Sequence, residues 1–365
     1  MKKLWKHWPL TLAVLLAICC GLCIWRLWAV SNLLPSQQAA QRWKGTGERD
    51  FAQVSFFMPA TEKLSLDQLY AFRSEMYKKL KGASYDVENE KGLYVDAWST
   101  SGSIKVSAGR QSGEVRAFAV GGRFFDFHPL RLLSGSYLSP NDVMDDRVLL
   151  DRETAWLLFG AVDLSGMSFS VNGTPFVVAG VYEHENDGFS KTAYGEGMTV
   201  YMSYDSYVRL FPDAKGVDCY EIVMAEPVKG FVHGAAEEKF PIKKAELVDN
   251  SYRFEPERLF KLAKNMSARS MHLGSVVYPY WENAARAAED RAAVWLVAAV
   301  ITGAFPGALL LFELIRNAVR GKKKLEDDIL PEAKKRSREF VREQSRRRWE
   351  RKHPEEAAGE DDYLL

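Results

Sequence analysis

Residues 168–183 read SFSVNGTPFVVAGVYE. Two β-rich runs flank Asn172-Gly173, and a two-residue turn of this kind needs φ > 0 at both central positions, which Asn and Gly tolerate. The stretch predicts a β-hairpin, and its surroundings predict more of a mixed body. Upstream, Arg147 to Leu150 reads as a short strand and Glu153 to Phe159 as a short helix ended by Gly160. Phe51 to Phe57 reads as a strand; Gly92 to Trp98, Ser103 to Ala108 and Glu114 to Val120 read as strands divided by Gly- and Ser-bearing turns. Ser65 to Leu80 reads as a helix, with Ser65 as its cap and Leu69, Phe72, Met76 and Leu80 at helical spacing. Downstream, Met198 to Met202 and Cys219 to Met224 read as strands around a helix at Asp205 to Phe211. Gly234 to Phe240 and Pro256 to Met266 read as helices, with a strand near Ala245 to Val248. Interspersed strands and helices predict an α+β body in two lobes.

Two apolar runs bracket this body. Pro9 to Trp25 carries no charge, and Ala292 to Phe312 carries none either. A span needs about 20 mostly apolar residues at a rise of about 1.5 Å each. Trp5, Trp8, Trp25 and Trp28 lie near the ends of the first run, as an interfacial aromatic belt would. A cleaved signal peptide fits poorly, because Leu27 would stand three residues before a cut at Ala29, where a small residue is wanted. Ile18 before Cys19 and Leu22 before Cys23 argue against a lipoprotein cysteine in the same way. Lys2, Lys3 and Lys6 precede the first run; Arg316, Arg320 and Lys322 to Lys324 follow the second. The positive-inside rule then places both termini in the cytoplasm. The expected organisation is a cytoplasmic N-terminus at 1–8, spans at 9–30 and 292–315, an extracytoplasmic domain at 31–291 and a charged cytoplasmic tail at 316–365. Small residues four apart, Ala13, Ala17 and Gly21 in the first run and Ala299, Gly303 and Gly307 in the second, predict helix-packing faces. Pro306 predicts a kink.

The chain of 365 residues carries 49 Lys and Arg against 48 Asp and Glu, so its charge supplies no case for nucleic-acid binding. A charged fraction of 27% with 47% hydrophobic residues excludes wholesale disorder. A mean hydropathy of −0.24 excludes a chain with most of its mass in lipid. Four cysteines, three of them within the first apolar run, do not make a disulfide scaffold.

The block from 121 to 182 carries a longer pattern. It runs through Phe124-Phe125, then Pro129-Leu130 to Gly135, the acidic Asp142, Arg147 to Asp151, Leu158-Phe159-Gly160, Gly166 and the hairpin with Asn172-Gly173 that leads into Phe176 to Val181 around Gly180. In order and spacing this resembles the periplasmic core domain of MacB-type ABC transporter permeases, of the MacB-like and FtsX-like group. The resemblance implies two extracytoplasmic lobes that move when partner ATPase subunits close on nucleotide, moving substrate outside the membrane. The family pattern has three spans after this domain, whereas one is found here. No GxxxxGK[ST] phosphate loop is present, so the ATPase is expected to be a separate subunit.

Most of these residues read as architecture rather than as a site: Phe124, Phe125 and Phe127 as core aromatics, and Gly135, Gly160 and Gly166 as turns or caps. A cation site in Glu183 to Asp187 matches no metal-loop spacing, and Cys19, Cys20 and Cys23 read as small packing residues rather than acylation sites. Asn172-Gly173-Thr174 and Asn265-Met266-Ser267 match glycosylation sequons but carry no functional weight, because the resemblance points to bacteria. No catalytic, cofactor or metal motif is found, and the chain is not expected to be an enzyme. In the tail, Pro331 to Lys352 reads as a solvated or surface-lying helix and Glu355 to Asp362 as a disordered acidic end. The expected partners are an ABC ATPase, a further permease chain and membrane lipid, with a homo- or hetero-oligomer and no nucleic acid. The expected function is a permease-like subunit of a MacB-type ABC transporter or mechanotransmission complex in a bacterial plasma membrane. The alternative is a two-span sensor or scaffold without transport.

Overall fold

The computed structural model describes residues 8–89, 92–139, 142, 144–194, 197–270, 276, 278–324 and 330–352. The acidic end at Glu355 to Asp362 lies outside them. In chain order the helices are α1 (Trp8–Ser31), α2 (Ala39–Lys44), α3 (Leu66–Gly82), α4 (Phe124–Phe127), α5 (Arg152–Phe159), α6 (Gly188–Tyr194), α7 (Tyr204–Leu210), α8 (Phe231–Lys239), α9 (Pro256–Ser270), α10 (Tyr280–Lys324) and α11 (Leu330–Lys352). The strands are β1 (Phe51–Phe57), β2 (Tyr94–Ala108), β3 (Gln111–Gly122), β4 (Arg131–Gly135), β5 (Arg147–Asp151), β6 (Ser168–Val171), β7 (Thr174–Glu183), β8 (Thr199–Ser203), β9 (Cys219–Ala225) and β10 (Glu246–Asp249).

By contacts the chain divides into a unit from Leu22 to Ala299 and a unit combining the two chain ends. The first holds one mixed sheet in the order β10-β1-β9-β2-β3-β8-β5-β7-β4, with β6 pairing both β2 and β7. The β3–β8 and β5–β7 pairs are parallel; the rest are antiparallel. The α+β body is therefore built as two halves of one sheet, joined through the long β2–β3 hairpin.

The expected turn between Gly92–Trp98 and Ser103–Ala108 does not form; both belong to β2. Gly102 stays in the ladder opposite Ala117, and Tyr207 fills the space of a side chain there: a Cβ would lie 2.0 Å from the Tyr207 hydroxyl. The helix start at Ser65 is a capping box, in which the Ser65 hydroxyl accepts from the Gln68 N–H and the Gln68 side chain accepts from the Ser65 N–H. The hairpin turn forms as the sequence implies, with φ of 48° at Asn172 and 86° at Gly173.

The sheet buries both faces. Val54, Phe56, Ala117, Ala119, Val148, Leu150 and Ile222 point to one side, against Leu69, Phe72 and Met76 of α3 and Val232 and Ala236 of α8. Phe57, Phe118, Val120, Tyr182 and Tyr201 point to the other, against α2, α4 and the first turn of α10. This alternation is the period-two geometry of strands expressed as two cores.

The helices α1 and α10 contain stretches long and apolar enough to cross a membrane, with mean hydropathies of 2.3 and 2.1. The α10 helix continues through Pro306. In the chain-end unit, Ala13 is buried while Ala17 and Gly21 are exposed; Gly303 is half-buried, where a Cβ would lie 3.0 Å from the Cys20 sulfur, and Gly307 is exposed. In the larger unit Ala299 is buried.

Candidate functional site

The second face of the sheet is where α10 enters the body, and its aromatic floor receives the first turn of that helix. Tyr280 is buried and stacks on Tyr194 at a centroid distance of 3.7 Å. Its hydroxyl lies 3.2 Å from that of Tyr201 and donates to the Glu185 carboxylate at 3.0 Å. Burial first, then Tyr201 and Glu185, raises the Tyr280 pKa well above the ordinary 10.0. Trp281 packs against Phe118, Phe124 and the His128 ring, the last at 4.5 Å. His128 in turn contacts the Glu221 carboxylate, and the other Glu221 oxygen accepts from Ser55 at 2.8 Å.

A buried charge cluster adjoins this floor. Arg253 contacts Glu282 at 2.5 Å and Glu289 at 3.1 Å, and donates to Gln37 at 2.7 Å. Glu282 also meets Arg286 at 2.8 Å. Burial opposes the Arg253 charge, but Glu282 and Glu289 outweigh it and raise its pKa above the ordinary value. Between and beyond these residues α10 turns an alanine face inward. Ala284, Ala285 and Ala288 pack with Leu34, Phe189 and Phe254, and Ala292 and Ala293 pack with Leu259 of α9 and Leu27 and Val30 of α1. Alanines permit close helix approach at little side-chain entropy cost.

The motif residues singled out in sequence divide into three groups. Phe124 lies in the floor itself, 5.6 Å from both Tyr201 and Trp281. Phe125 stacks on Tyr137, whose hydroxyl donates to the Leu130 carbonyl at 2.5 Å, and Leu130 is buried after Pro129. These positions brace α4 and the start of β4. Gly135 and Gly180 face each other in the β4–β7 pair, where a Cβ on Gly135 would meet the Ala179 carbonyl at 2.1 Å. A third group, Phe159, Gly160, Gly166, Asn172 and Gly173, lies in turns and at the edge of the first core, away from α10. The Asn172 side chain accepts from the Lys105 N–H at 2.8 Å and pins the hairpin tip to β2.

Asp151 is fully buried. It caps α5 through the Thr154 N–H at 2.7 Å and accepts from the Thr199 N–H at 2.8 Å. Its outer oxygen meets His184 at 2.9 Å, and Glu153 completes a set whose ligand-capable atoms lie within 4.8 Å. Of the run Glu183 to Asp187, only His184 enters that group. Asp151 serves here as a helix cap and strand tie.

Sequence reasoning did not single out Arg253, Gln37, Tyr194, Tyr201 or Tyr280. Glu282, Arg286 and Glu289, at helical spacing just before an apolar run, were the only legible signal.

Along the chain the two-faced mixed sheet is flanked by the two apolar helices, and residues 49–229 match the MacB-like periplasmic core domain. Residues 49–229 thus carry a MacB-like periplasmic core domain. Among solved structures, it is similar to the periplasmic region of MacB from Actinobacillus actinomycetemcomitans, at 14% identity over 61% of this chain and 94% of that one, with a TM-score of 0.41. It is also similar to the extracellular domain of the noncanonic ABC-type transporter YknZ from Gram-positive bacteria, at 12% identity over 55% and 100%, TM-score 0.37. A domain of a putative permease from Porphyromonas gingivalis matches at 11% over 54% and 86%, TM-score 0.31. No curated protein matches the chain.

Proposed function

We propose that this chain is the membrane-anchored, permease-like subunit of a MacB-type ABC transporter or mechanotransmission complex. The observation that carries the reading is the grip on α10: a helix of 45 residues starts on the aromatic floor and runs unbroken into an apolar stretch. A MacB-like core domain held in this way suits transmission of helix movement to the body. The helix supplies stiffness, and the aromatic floor and the Arg253 cluster resist slippage of its first turns. The chain's own residues perform no bond-breaking step; ATP hydrolysis belongs to a partner. The body lies outside the membrane and both termini lie in the cytoplasm, in keeping with basic residues beyond each apolar run.

Purification in mild detergent after crosslinking tests the reading. An ABC ATPase and a further permease chain should be recovered, and the ATPase should be lost on deletion after Arg320. Recovery of a kinase or regulator without an ATPase would overturn it.

A further inference from the structure

We infer that α11 binds the anionic phospholipid surface of the bilayer that anchors the chain, through the helix face opposite its glutamates. This rests on the reading that α10 spans that bilayer, but needs no ATPase or permease partner.

The segment from 330 to 352 holds ten Lys and Arg against four Glu. The glutamates stand at positions 332, 339, 343 and 350, at spacings of seven, four and seven. At about 100° per residue these spacings gather them into one sector of about 40°. The opposite side carries Lys334, Arg338, Val341, Arg348 and Lys352 and no acidic residue. On the glutamate side, Arg347 pairs with Glu343 at 2.7 Å, so positive charge is offset there and left in excess on the far face. Every side chain from 331 to 349 is exposed, including Phe340 at 63%, Val341 at 59% and Trp349 at 44%.

Chain connection sets the location. α10 ends in Lys322-Lys323-Lys324, and five residues separate it from α11. Five residues reach at most about 18 Å, so the start of α11 is confined near the end of the membrane helix. Basic side chains near an anionic leaflet are attracted to it, and long stems and aromatic rings settle at the headgroup level. The apolar side chains Phe340, Val341 and Trp349 spread over about half the helix circumference. A protein groove wants them in one narrow stripe, whereas a headgroup layer accepts them as spread.

The test uses the full-length protein in nanodiscs of phosphatidylcholine alone or mixed with phosphatidylglycerol, read by amide hydrogen exchange. Helices owe most of their stability to packing, and the α11 side chains from 331 to 349 are exposed, so adsorption registers as protection. Exchange across 330–352 should slow by about tenfold in the anionic discs and recover at high salt. The slowing should vanish in K334Q/R338Q/R348Q/K352Q and persist in E332Q/E339Q/E343Q, with exchange in the body unchanged in both. Equal exchange in the two discs, equal loss in both variants, or slowing only after an ABC ATPase is added would overturn the proposal. Failure to insert into discs would overturn it together with the membrane reading. Insertion with equal exchange would overturn it alone.

Discussion

Arg253 and Glu282 form an ion pair almost closed to water, with 2% and 1% of their side chains exposed. The pair ties the segment before α9 to the first turn of α10, and Glu289 and Gln37 complete its coordination. Replacing Arg253 with Met leaves Glu282 and Glu289 short of a counter-charge in a buried place. The expected loss is about 3 kcal/mol, the low end for a broken buried pair because Arg286 still reaches Glu282. Denaturant unfolding of the detergent-solubilised protein checks it. K261M, which removes an exposed partner of Glu257, should leave the midpoint unchanged.

Gly135 and Gly160 both adopt left-handed backbone, with φ of 74° and 66°. Space separates them: a Cβ on Gly135 collides with the Ala179 carbonyl, whereas one on Gly160 meets nothing within 4 Å. G160A should cost about 1 kcal/mol, from the backbone conformation alone. G135A should cost about 3 kcal/mol or more, because the β4–β7 strands must separate. Equal midpoints for the two variants would show that close strand approach does not limit this position.

Gly102 and Tyr207 form a pair that a double-mutant cycle can isolate. A Cβ on Gly102 would lie 2.0 Å from the Tyr207 hydroxyl oxygen but 3.2 Å from the ring carbon beneath it. G102A should destabilise the body, and Y207F should recover much of that loss. The expected coupling energy is about 1–2 kcal/mol; additive effects would refute the contact.

Burial pushes the Cys219 thiol, with help from Glu221, well above its ordinary 9.0, and the buried Tyr94, Tyr182, Tyr220 and Tyr280 well above 10.0. In the folded state these groups keep protons that the unfolded chain releases, so unfolding at alkaline pH is linked to proton release. Their stabilisation is fully present below pH 9 and lost as pH rises. Each group, once past its ordinary value, contributes a slope of about 1.4 kcal/mol per pH unit. Urea midpoints measured from pH 8 to 11 should fall from about pH 9, and in C219A the fall should begin nearer pH 10. A flat profile would contradict the burial of these groups.

Much of the body was legible residue by residue. Phe51–Phe57 alternates and forms a strand; Ser65 and Gln68 stand at capping-box spacing; Asn172-Gly173 tolerates the turn. Each of these signals is local, arising from a side chain and backbone a few residues away. The block from 121 to 182 was legible as a family pattern for a related reason. Gly135 opposite Gly180 and Phe124 beneath α10 occupy positions where few side chains fit, so their order along the chain carries the architecture.

The sequence by itself determined the apolar helices at either end, the α+β body between them, and the family to which that body is similar. These follow from hydropathy over about 20 residues and from short-range backbone preferences. Tertiary structure alone decided that Gly102 lies within a single long strand, and that Arg253 meets Glu282, Glu289 and Gln37. It also decided that Tyr201 and Tyr194 receive Tyr280. Arg253 and Gln37 are 216 residues apart, and Tyr201 and Tyr280 are 79 apart. No periodicity along the chain encodes such pairs; they exist because the fold gathers distant segments around the start of one helix.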